Sequence, residues 1–132
     1  MTQDVLTIRQ MCDAFGVTAR ALRFYEAKEL IFPERRGQHR LYDRRDRARL
    51  TLILRGKGFG FSLEQIRQLL ELYEPGGSNH AQLSATLATA RDRLTDMVRQ
   101  HAELEHAIVD LRGQIAEVEK RLHSTIDQDK TG

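Results

Sequence analysis

An unbroken heptad pattern of apolar residues runs from Leu83 to Leu122. Successive positions are separated by four and three residues in alternation, which places them along one stripe of a helix and is typical of a coiled coil. We call this stripe the seam. Its members are Leu83, Leu87, Ala90, Leu94, Met97, His101, Leu104, Ile108, Leu111, Ile115, Val118 and Leu122. A helix of this span is about 60 Å long at about 1.5 Å per residue. Because it cannot bury the seam alone, we expect a second copy of the chain to cover it, giving a homodimer.

His101 is the one polar residue of the seam, and it lies near the middle of the pattern. If two copies of the helix ran antiparallel, both copies of His101 would approach the twofold axis. A single polar seam residue often sets the register of a coiled coil, and we favour this interpretation over a proton or ligand sensor. The polar residues 124–132 are expected to form a flexible tail.

The start of the chain predicts two short helices joined by a tight turn. Thr7 can cap a helix from Ile8 to about Phe15, whose apolar residues share one face. Gly16 follows as a helix-terminating glycine, and Thr18 then caps the second helix. Two short helices linked by a glycine-containing turn of a few residues predict a helix-turn-helix.

The second helix carries three candidate binding residues, Arg20, Arg23 and Tyr25. We expect both arginines and part of the tyrosine to point outward. Small and basic residues in the first turns of a helix suit entry into the major groove of DNA. The alternative is a solvated arginine face on an ordinary core helix.

An apolar extended segment, residues 30–33, leads from this helix into an arginine-rich hairpin with Gly37 at its tip. The alternation around Leu41 predicts a short return strand. Such a two-stranded wing could bind phosphates, and a tyrosine on it could offer a hydroxyl to the DNA backbone. The candidate side chains of the wing are Arg35, Arg36, His39, Arg40 and Tyr42. The alternative is a solvated basic hairpin without a partner.

A third helix is predicted from residue 44 to about residue 57, with Asp43 at its start. We expect Asp46 to form an exposed ion pair with an arginine of the same helix, worth a few tenths of a kcal/mol. Residues 55–61 contain three glycines, but no strand precedes them and the full phosphate-binding fingerprint is absent. We therefore interpret this stretch as a bend that exposes Lys57, and not as a dinucleotide loop.

A fourth helix, residues 63 to about 73, begins with a capping box formed by Ser62 and Gln65. The Pro-Gly-Gly-Ser run at residues 75–78 follows it and is the clearest boundary in the chain. The predicted fold is mainly α with a small β-hairpin wing. The predicted segments are a winged helix-turn-helix domain over residues 1–75, a coiled-coil helix over residues 76–123 and a flexible tail over residues 124–132.

Charge is distributed unevenly along the chain. Residues 1–72 contain 14 Lys and Arg against 9 Asp and Glu, whereas residues 73–132 contain 7 against 10. A basic front half predicts a polyanionic partner. No apolar run approaches the length of a membrane span, and the N-terminus lacks the pattern of a signal peptide. With Cys12 as the single cysteine, no intramolecular disulfide can form, which favours a reducing, cytoplasmic location.

No catalytic or metal site is predicted. No nucleophile–base pair, metal-ligand cluster or phosphate loop stands out, and Cys12 lies on an apolar helix face, where a cysteine is usually part of a core. His101 and His106 are five residues apart and so do not share one helical face. We therefore expect no enzyme activity, no cofactor and no bound metal.

From about residue 6 to residue 122, the chain resembles the MerR family of bacterial transcription regulators. The resemblance rests on four motifs and on the order of the elements. The motifs are Thr18-x-Arg20-x-Leu22-Arg23-Phe24-Tyr25-Glu26, Leu30-Ile31-x-Pro33, Arg40-x-Tyr42 and Gly60-Phe61-Ser62-Leu63-Glu64-x-Ile66. It implies a winged helix-turn-helix, a helix pair and an antiparallel coiled-coil dimerisation helix, in that order.

The resemblance also implies which residues meet double-stranded promoter DNA. They are Thr18, Arg20, Arg23 and Tyr25 on the recognition helix, Arg36, His39, Arg40 and Tyr42 on the wing, and Lys57 on the helix pair. Two residues depart from the family pattern. Glu29 stands where a glycine is usual, so this helix end is expected to close differently, and His39 stands where a tyrosine is usual.

Members of the MerR family are thought to bind two half-sites and distort the duplex between them, which re-aligns the promoter for RNA polymerase. An effector at the dimer helix would bias the two states. The cysteines of metal-sensing and redox-sensing members are absent here, and the chain stops before the large domain of drug-binding members. It is most similar to the short, cysteine-poor LiuR-type members, so a small-molecule effector is expected. The alternatives are a coiled-coil interaction module without DNA binding and a metal-responsive regulator.

Overall fold

The computed structural model of the chain describes residues 4–76 and 79–131, with side chains described through residue 126. In chain order the elements are β1 (Leu6–Thr7), α1 (Ile8–Phe15), α2 (Ala19–Ala27), β2 (Glu34–Arg36), β3 (His39–Tyr42), α3 (Arg44–Gly58), α4 (Leu63–Glu71) and α5 (His80–Thr131). The fold is mainly α with one small antiparallel sheet, as predicted.

Local capping explains where the first two helices begin and end. Thr7 and Gln10 form a reciprocal capping box on α1, and Gly16 ends that helix in the left-handed conformation with φ of 65°. The Thr18 hydroxyl accepts a hydrogen bond from the Ala21 N–H at 3.0 Å and so caps α2. The predicted helix-turn-helix is therefore confirmed, and each boundary depends on residues within three positions of it.

The sheet has three strands in the order β1-β3-β2, rather than the two that were predicted. β2 and β3 form the wing hairpin, with Arg35 opposite Arg40. The additional strand β1 pairs with β3 through Leu6 opposite Tyr42. A two-residue strand is too short to show alternation, so sequence alone could not indicate it. Its pairing attaches the wing to the residues that lead into α1.

A single hydrophobic core lies among the sheet and α1 to α4. Its buried members are Met11, Leu22, Tyr25, Leu30, Ile31, Tyr42, Leu50, Ile53, Ile66 and Leu70. Gly56 allows α3 and α4 to approach closely, because a Cβ atom at this position would lie 2.8 Å from Cγ1 of Ile66. The glycine-rich stretch is therefore only partly a bend. Gly56 and Gly58 lie within α3, and Gly60 alone, with φ of 80°, turns the chain toward α4.

Asp46 occupies a different environment from the exposed ion pair that was predicted. Its side chain is buried, and its oxygens accept hydrogen bonds from the Phe32 N–H at 2.9 Å and the Asp43 N–H at 3.2 Å. Burial raises the pKa of Asp46 above its ordinary value, against the opposing effect of these two N–H donors. Asp46 thus caps α3 and holds the segment that follows α2. The prediction was wrong because the partner N–H of Phe32 is 14 residues away in sequence.

The last helix, α5, extends over 52 residues. The chain divides into two compact units, Met1–Ala88 and Thr89–Gly132, and α5 contributes to both. All seam side chains are exposed in the single chain. α5 does not end at residue 124, where a flexible tail was expected, because no glycine or proline interrupts residues 124–131. No helix in the described part of the chain is long and apolar enough to cross a membrane.

Candidate nucleic-acid interface

The N-terminal half of α2 presents two free arginines. Arg20 and Arg23 are both exposed, and within residues 4–76 and 79–126 neither forms an ion pair or hydrogen bond through its side chain. Thr18 lies at the start of the same surface and is used as the helix cap. The helix N-terminus adds partial positive charge to that of the two guanidinium groups. This arrangement suits a polyanion that approaches the first turns of α2.

Tyr25 does not point outward as expected, because its side chain is buried in the core. Its ring packs edge-on against that of Phe24, with ring centroids 5.8 Å apart. Phe24, to which the sequence assigned no role, is the exposed aromatic residue of α2 at 44% exposure. The helical position explains the difference, since Tyr25 follows Leu22 by three residues and shares its inward face.

A cleft of about 390 Å³ runs alongside α2 and brings separate parts of the sequence together. It is lined by Thr18, Arg20, Ala21, Phe24, Tyr25, Lys57, Phe61, Leu63 and Ile66. Arg20 from α2 and Lys57 from α3 therefore border the same cleft. The prediction that Lys57 is exposed is confirmed. Two cations from different helices beside one cleft could contact a single stretch of phosphate backbone.

On the wing, Arg36 and His39 are exposed and lie opposite each other on β2 and β3. The Arg36 Nε atom lies 3.9 Å from a carboxylate oxygen of Glu34, a loose contact between exposed side chains. Surface pairs of this kind contribute little energy. Both residues can therefore reach a ligand beside the hairpin.

Arg40, by contrast, is engaged within the protein. Its Nε donates a 2.7 Å hydrogen bond to Oε1 of Glu26 on α2, and Nη2 of Arg35 donates a 3.2 Å hydrogen bond to Oε2 of the same carboxylate. Burial by itself raises the pKa of Glu26, but the hydrogen bonds and charges of the two arginines hold it below its ordinary value. We call these three residues the Glu26 brace. Arg40 attaches the wing to α2, which differs from the expected phosphate contact.

Tyr42 is fully buried, and its hydroxyl has no hydrogen-bond partner among the residues that the structure describes. The predicted contact between this hydroxyl and the DNA backbone is therefore wrong for this conformation. Desolvation by burial raises the pKa of Tyr42 to about 12. Its position opposite Leu6 explains the burial, because the third strand β1 covers this part of β3.

Two further arginines hold the C-terminal end of α2. Arg67 on α4 donates a 2.6 Å hydrogen bond to the Lys28 carbonyl, and Nε of Arg49 on α3 donates a 2.7 Å hydrogen bond to the Leu30 carbonyl. Glu29 between them has φ of 59°, a left-handed conformation in the position where a glycine was the usual residue. A glutamate in place of the usual glycine was the one feature near α2 in the sequence that indicated an unusual helix end. Arg49 and Arg67 are too far from α2 in sequence for their contacts to be predicted.

Comparison with known proteins decides the family. A family model described as MerR HTH family regulatory protein matches residues 6–72, and a model described as MerR, DNA binding, matches residues 47–114. The chain belongs to the MerR family. Among its MerR-type relatives, the HTH-type transcriptional regulator HmrR of Rhizobium leguminosarum bv. viciae is 32% identical over 78% of this chain and 81% of its own length. The HTH-type transcriptional regulator SkgA of Caulobacter vibrioides is 33% identical over 96% of this chain, which spans only 50% of SkgA.

Solved structures agree with this assignment. HiNmlR, a MerR family regulator lacking the sensor domain and bound to promoter DNA, has the same fold, with a TM-score of 0.61 over 79% of this chain and 78% of that one, at 22% identity. PbrR691 of Ralstonia metallidurans CH34, solved with lead(II), has a TM-score of 0.59 over 81% of this chain and 85% of that one, at 26% identity. Together with the family models, these findings identify the chain as a DNA-binding transcriptional regulator of the MerR family.

The side chains of this MerR-family member do not fit a thiolate metal site. Its single cysteine, Cys12, packs against the core from α1. Across the residues with described side chains, no three His, Cys, Asp or Glu residues come together to hold a metal ion. The residues do not provide the soft sulfur ligands that thiophilic metals prefer.

Proposed function

We propose that the chain binds its promoter as a homodimer, with one copy of α2 and its wing on each of two half-sites. The free arginines of α2 carry the proposal, since Arg20 and Arg23 are exposed and form no ion pair or side-chain hydrogen bond with any described residue. The nearby Arg40, by contrast, is engaged with Glu26. Thr18, Lys57, Arg36 and His39 would add contacts to the same duplex. In this proposal Tyr25, Arg40 and Tyr42 act indirectly, by fixing α2 and the wing in place.

The exposed seam of α5 supports the dimer. Eleven of its twelve residues are apolar, and their exposure in a single chain would be costly in water. We propose that a second α5 covers the seam in the antiparallel sense. His101 is exposed in the single chain, with Nε2 3.6 Å from an oxygen of Glu105 one turn away. Its position near the middle of the seam suits a register-setting contact between two copies.

We propose further that the dimer distorts the DNA between its half-sites, and so acts on RNA polymerase indirectly through the shape of the promoter. Deforming the duplex between two half-sites costs on the order of a few kcal/mol, and contacts between the protein and the phosphates can supply this energy. We also propose that the protein works in the cytoplasm, where its promoter lies. No catalytic activity is included in the proposal, because Cys12 packs against the core and the relatives of the chain are transcription regulators.

For the effector, we propose a small metabolite of the kind sensed by LiuR-type regulators. The similarity of residues 53–57 and 60–63 to that subgroup supports this choice. A metal ion is the second candidate, because relatives include the Heavy metal-dependent transcription regulator 1 of Rhizobium meliloti and the lead(II)-bound PbrR691. LiuR-type members control branched-chain amino-acid or acyl-CoA catabolism, so a thermal-shift screen of acyl-CoA esters against divalent metals separates the two. Stabilisation by metals alone would overturn the metabolite proposal.

The DNA contacts are tested by an Arg23→Ala variant in gel-shift titrations with promoter DNA. We expect affinity to fall by about 10-fold to 100-fold, because one direct contact to a base or phosphate is worth about 1–3 kcal/mol. The slope of log affinity against log salt should also decrease by about one if the lost contact is to phosphate. The control is Lys120→Ala, which removes one positive charge from α5 away from the seam.

Unchanged affinity in both Arg23→Ala and Arg20→Ala would contradict the proposed interface. Sedimentation equilibrium of the wild-type chain tests the dimer separately, because its mass does not depend on DNA. A monomer at micromolar concentration would contradict the role of the seam. Retention of a protein partner with no retention of DNA would instead indicate an interaction module.

A further inference from the structure

One charged cluster has no part in the proposed DNA contacts. It links the segment before α5 to the segment that follows α2. Glu74 lies in the connection between α4 and α5. Its Oε2 accepts a 2.6 Å hydrogen bond from Nη2 of Arg45, and its Oε1 accepts a hydrogen bond from Nη1 of Arg49. Hydrogen bonding to Arg45 and the charges of both arginines hold the pKa of Glu74 below its ordinary value, although desolvation opposes them.

Arg49 is the member of this cluster that reaches α2. Its side chain is 12% exposed, and its Nε donates a 2.7 Å hydrogen bond to the Leu30 carbonyl at the exit from α2. The guanidinium also stacks over the Phe32 ring, 5.3 Å from the centroid. One planar group therefore bonds the chain after α2 through one nitrogen and the chain before α5 through another. A lysine could not make both contacts at once, since it lacks the rigid fork.

The same segment is held from α3 a second time. Asp46 precedes Arg49 by three residues, so the two side chains share one face of α3. Asp46 accepts from the Phe32 N–H while Arg49 donates to the Leu30 carbonyl, so α3 bonds both sides of the segment. Of these two contacts, only the one through Arg49 extends to the connection before α5. A shift of that connection would withdraw Glu74 and leave a largely buried guanidinium without its carboxylate, which is unfavourable.

We propose that Glu74 and Arg49 form a clasp through which the connection to α5 positions the recognition helix α2. Glu74 orients Arg49, and Arg49 fixes the Leu30 carbonyl and thereby the C-terminal end of α2. Both are positioning residues, because neither has to touch DNA. A movement of α5 would then change the affinity for DNA through the clasp, without unfolding the domain.

The test is a double-mutant cycle read out as DNA affinity. A duplex bound by the wild-type chain is first selected from random sequences, and a single half-site is prepared from it. Glu74→Gln and Arg49→Lys are each expected to weaken binding by about tenfold, the effect of one charge-assisted hydrogen bond. The double variant should bind about as weakly as either single variant, because both changes break one contact chain.

Two matched controls make the same residue exchanges, Glu to Gln and Arg to Lys, at positions outside the clasp. Glu71→Gln removes a carboxylate from the end of α4, and Arg45→Lys alters the other partner of Glu74, which does not contact Leu30. Affinity within about twofold of wild type is expected for both, as for surface substitutions in general. If Arg49→Lys does not fold, Glu74→Gln against Glu71→Gln carries the test.

Binding is measured well below the unfolding temperature of each variant, so that a loss of stability alone does not lower it. Wild-type affinity for Glu74→Gln, or effects of the two substitutions that multiply in the double variant, would overturn the clasp. The half-site duplex makes the result independent of the proposed dimer, whose failure would appear separately as a monomeric mass. Weaker binding to the half-site with full non-additivity would support the clasp whether or not the chain dimerises.

Discussion

The N-terminal half of α2 and the C-terminal end of the helix, together with the residues just beyond it, have opposite surroundings. In the N-terminal half, Arg20 and Arg23 are exposed and have no partner in the described part of the chain. At the C-terminal end, Glu26 is bonded by the wing, and just beyond the helix the carbonyls of Lys28 and Leu30 are bonded by α4 and α3. The difference teaches that one helix has separate binding and anchoring ends.

This division also explains why the arginines of the DNA-binding domain are not equivalent. An arginine that faces only solvent keeps its hydrogen-bond donors for a phosphate or a base. Arg40 donates one of its guanidinium N–H groups to Glu26, and the negative charge of that carboxylate offsets the positive charge of the arginine. Counting positive charges therefore overestimates the binding surface. Substitutions that remove a contact holding α2 in place can therefore be compared with substitutions of residues that face solvent.

The largest effect is expected for the Glu26 brace. Arg40→Ala should lower the free energy of unfolding by about 2 kcal/mol, because it removes a hydrogen bond between charged groups that are only 20–25% exposed. Arg36→Ala on the same hairpin is the control and should change stability by less than about 0.5 kcal/mol. Urea denaturation measures both. Equal stability for the two variants would show that the wing is not anchored by Arg40.

The same brace predicts a dependence of stability on pH. The folded-state pKa of Glu26 lies below its ordinary value of 4.5, so the unfolded chain binds a proton there more readily than the folded one. The contribution of Glu26 is therefore fully present above pH about 4.5 and is lost as the pH falls through the lower folded-state value. Thermal melts of wild type and Glu26→Gln between pH 3 and 7 measure it. The difference in melting temperature should shrink in acid, and a constant difference would contradict the brace.

Local rules predicted the elements well because their determinants are close in sequence. The caps at Thr7, Thr18 and Ser62 each depend on a residue three positions away, and all three are present. The anchors of α2 could not be predicted in this way. Arg40 is 14 residues from Glu26, and Arg67 is 39 residues from Lys28. Sequence spacing does not show which of many arginines will meet a carboxylate or carbonyl after folding.

A substitution at Tyr42 tests whether this residue, which was predicted to contact DNA, belongs to the core instead. Tyr42→Phe should raise the free energy of unfolding by about 1 kcal/mol, because it removes a buried hydroxyl that no described residue hydrogen-bonds. Affinity for DNA should stay unchanged. Tyr73→Phe, at an exposed position, is the control and should change neither quantity. A destabilised Tyr42→Phe variant would mean that the hydroxyl is bonded, and a loss of affinity would restore its role at the interface.

Because the pKa of Tyr42 is raised, the stability of the wild-type chain should also depend on pH in the alkaline range. The ordinary value is 10.0 and the folded-state value is about 12, so the unfolded chain loses this proton first as the pH rises. Wild-type stability should be unaffected by Tyr42 below pH about 10 and should decline between pH 10 and 12. Tyr42→Phe should lack this part of the decline. Parallel urea titrations at pH 9 and pH 11 measure the difference.

The smallest effect is expected where α2 ends. The Leu30 N–H donates to the Tyr25 carbonyl and the Glu29 N–H to the Glu26 carbonyl, both at 2.9 Å. This is the Schellman pattern, which requires a left-handed residue at Glu29. The end of α3 has the same pair of hydrogen bonds, with Gly60 in the left-handed position. The two helix ends therefore differ in backbone strain, because Glu29 has a Cβ atom that disfavours the left-handed conformation and Gly60 has none.

Glu29→Gly should relieve that strain, which costs about 1–2 kcal/mol for a residue with a Cβ atom. Part of the gain is offset because glycine makes the unfolded chain more flexible, so the expected increase in unfolding free energy is about 0.5 kcal/mol. The mirror substitution Gly60→Ala should instead destabilise the protein by about 1 kcal/mol. Urea denaturation of both variants makes the test. If Glu29→Gly destabilised the chain, the glutamate side chain would have to contribute a contact that outweighs its strained backbone, and the anchoring of α2 would then extend to this residue as well.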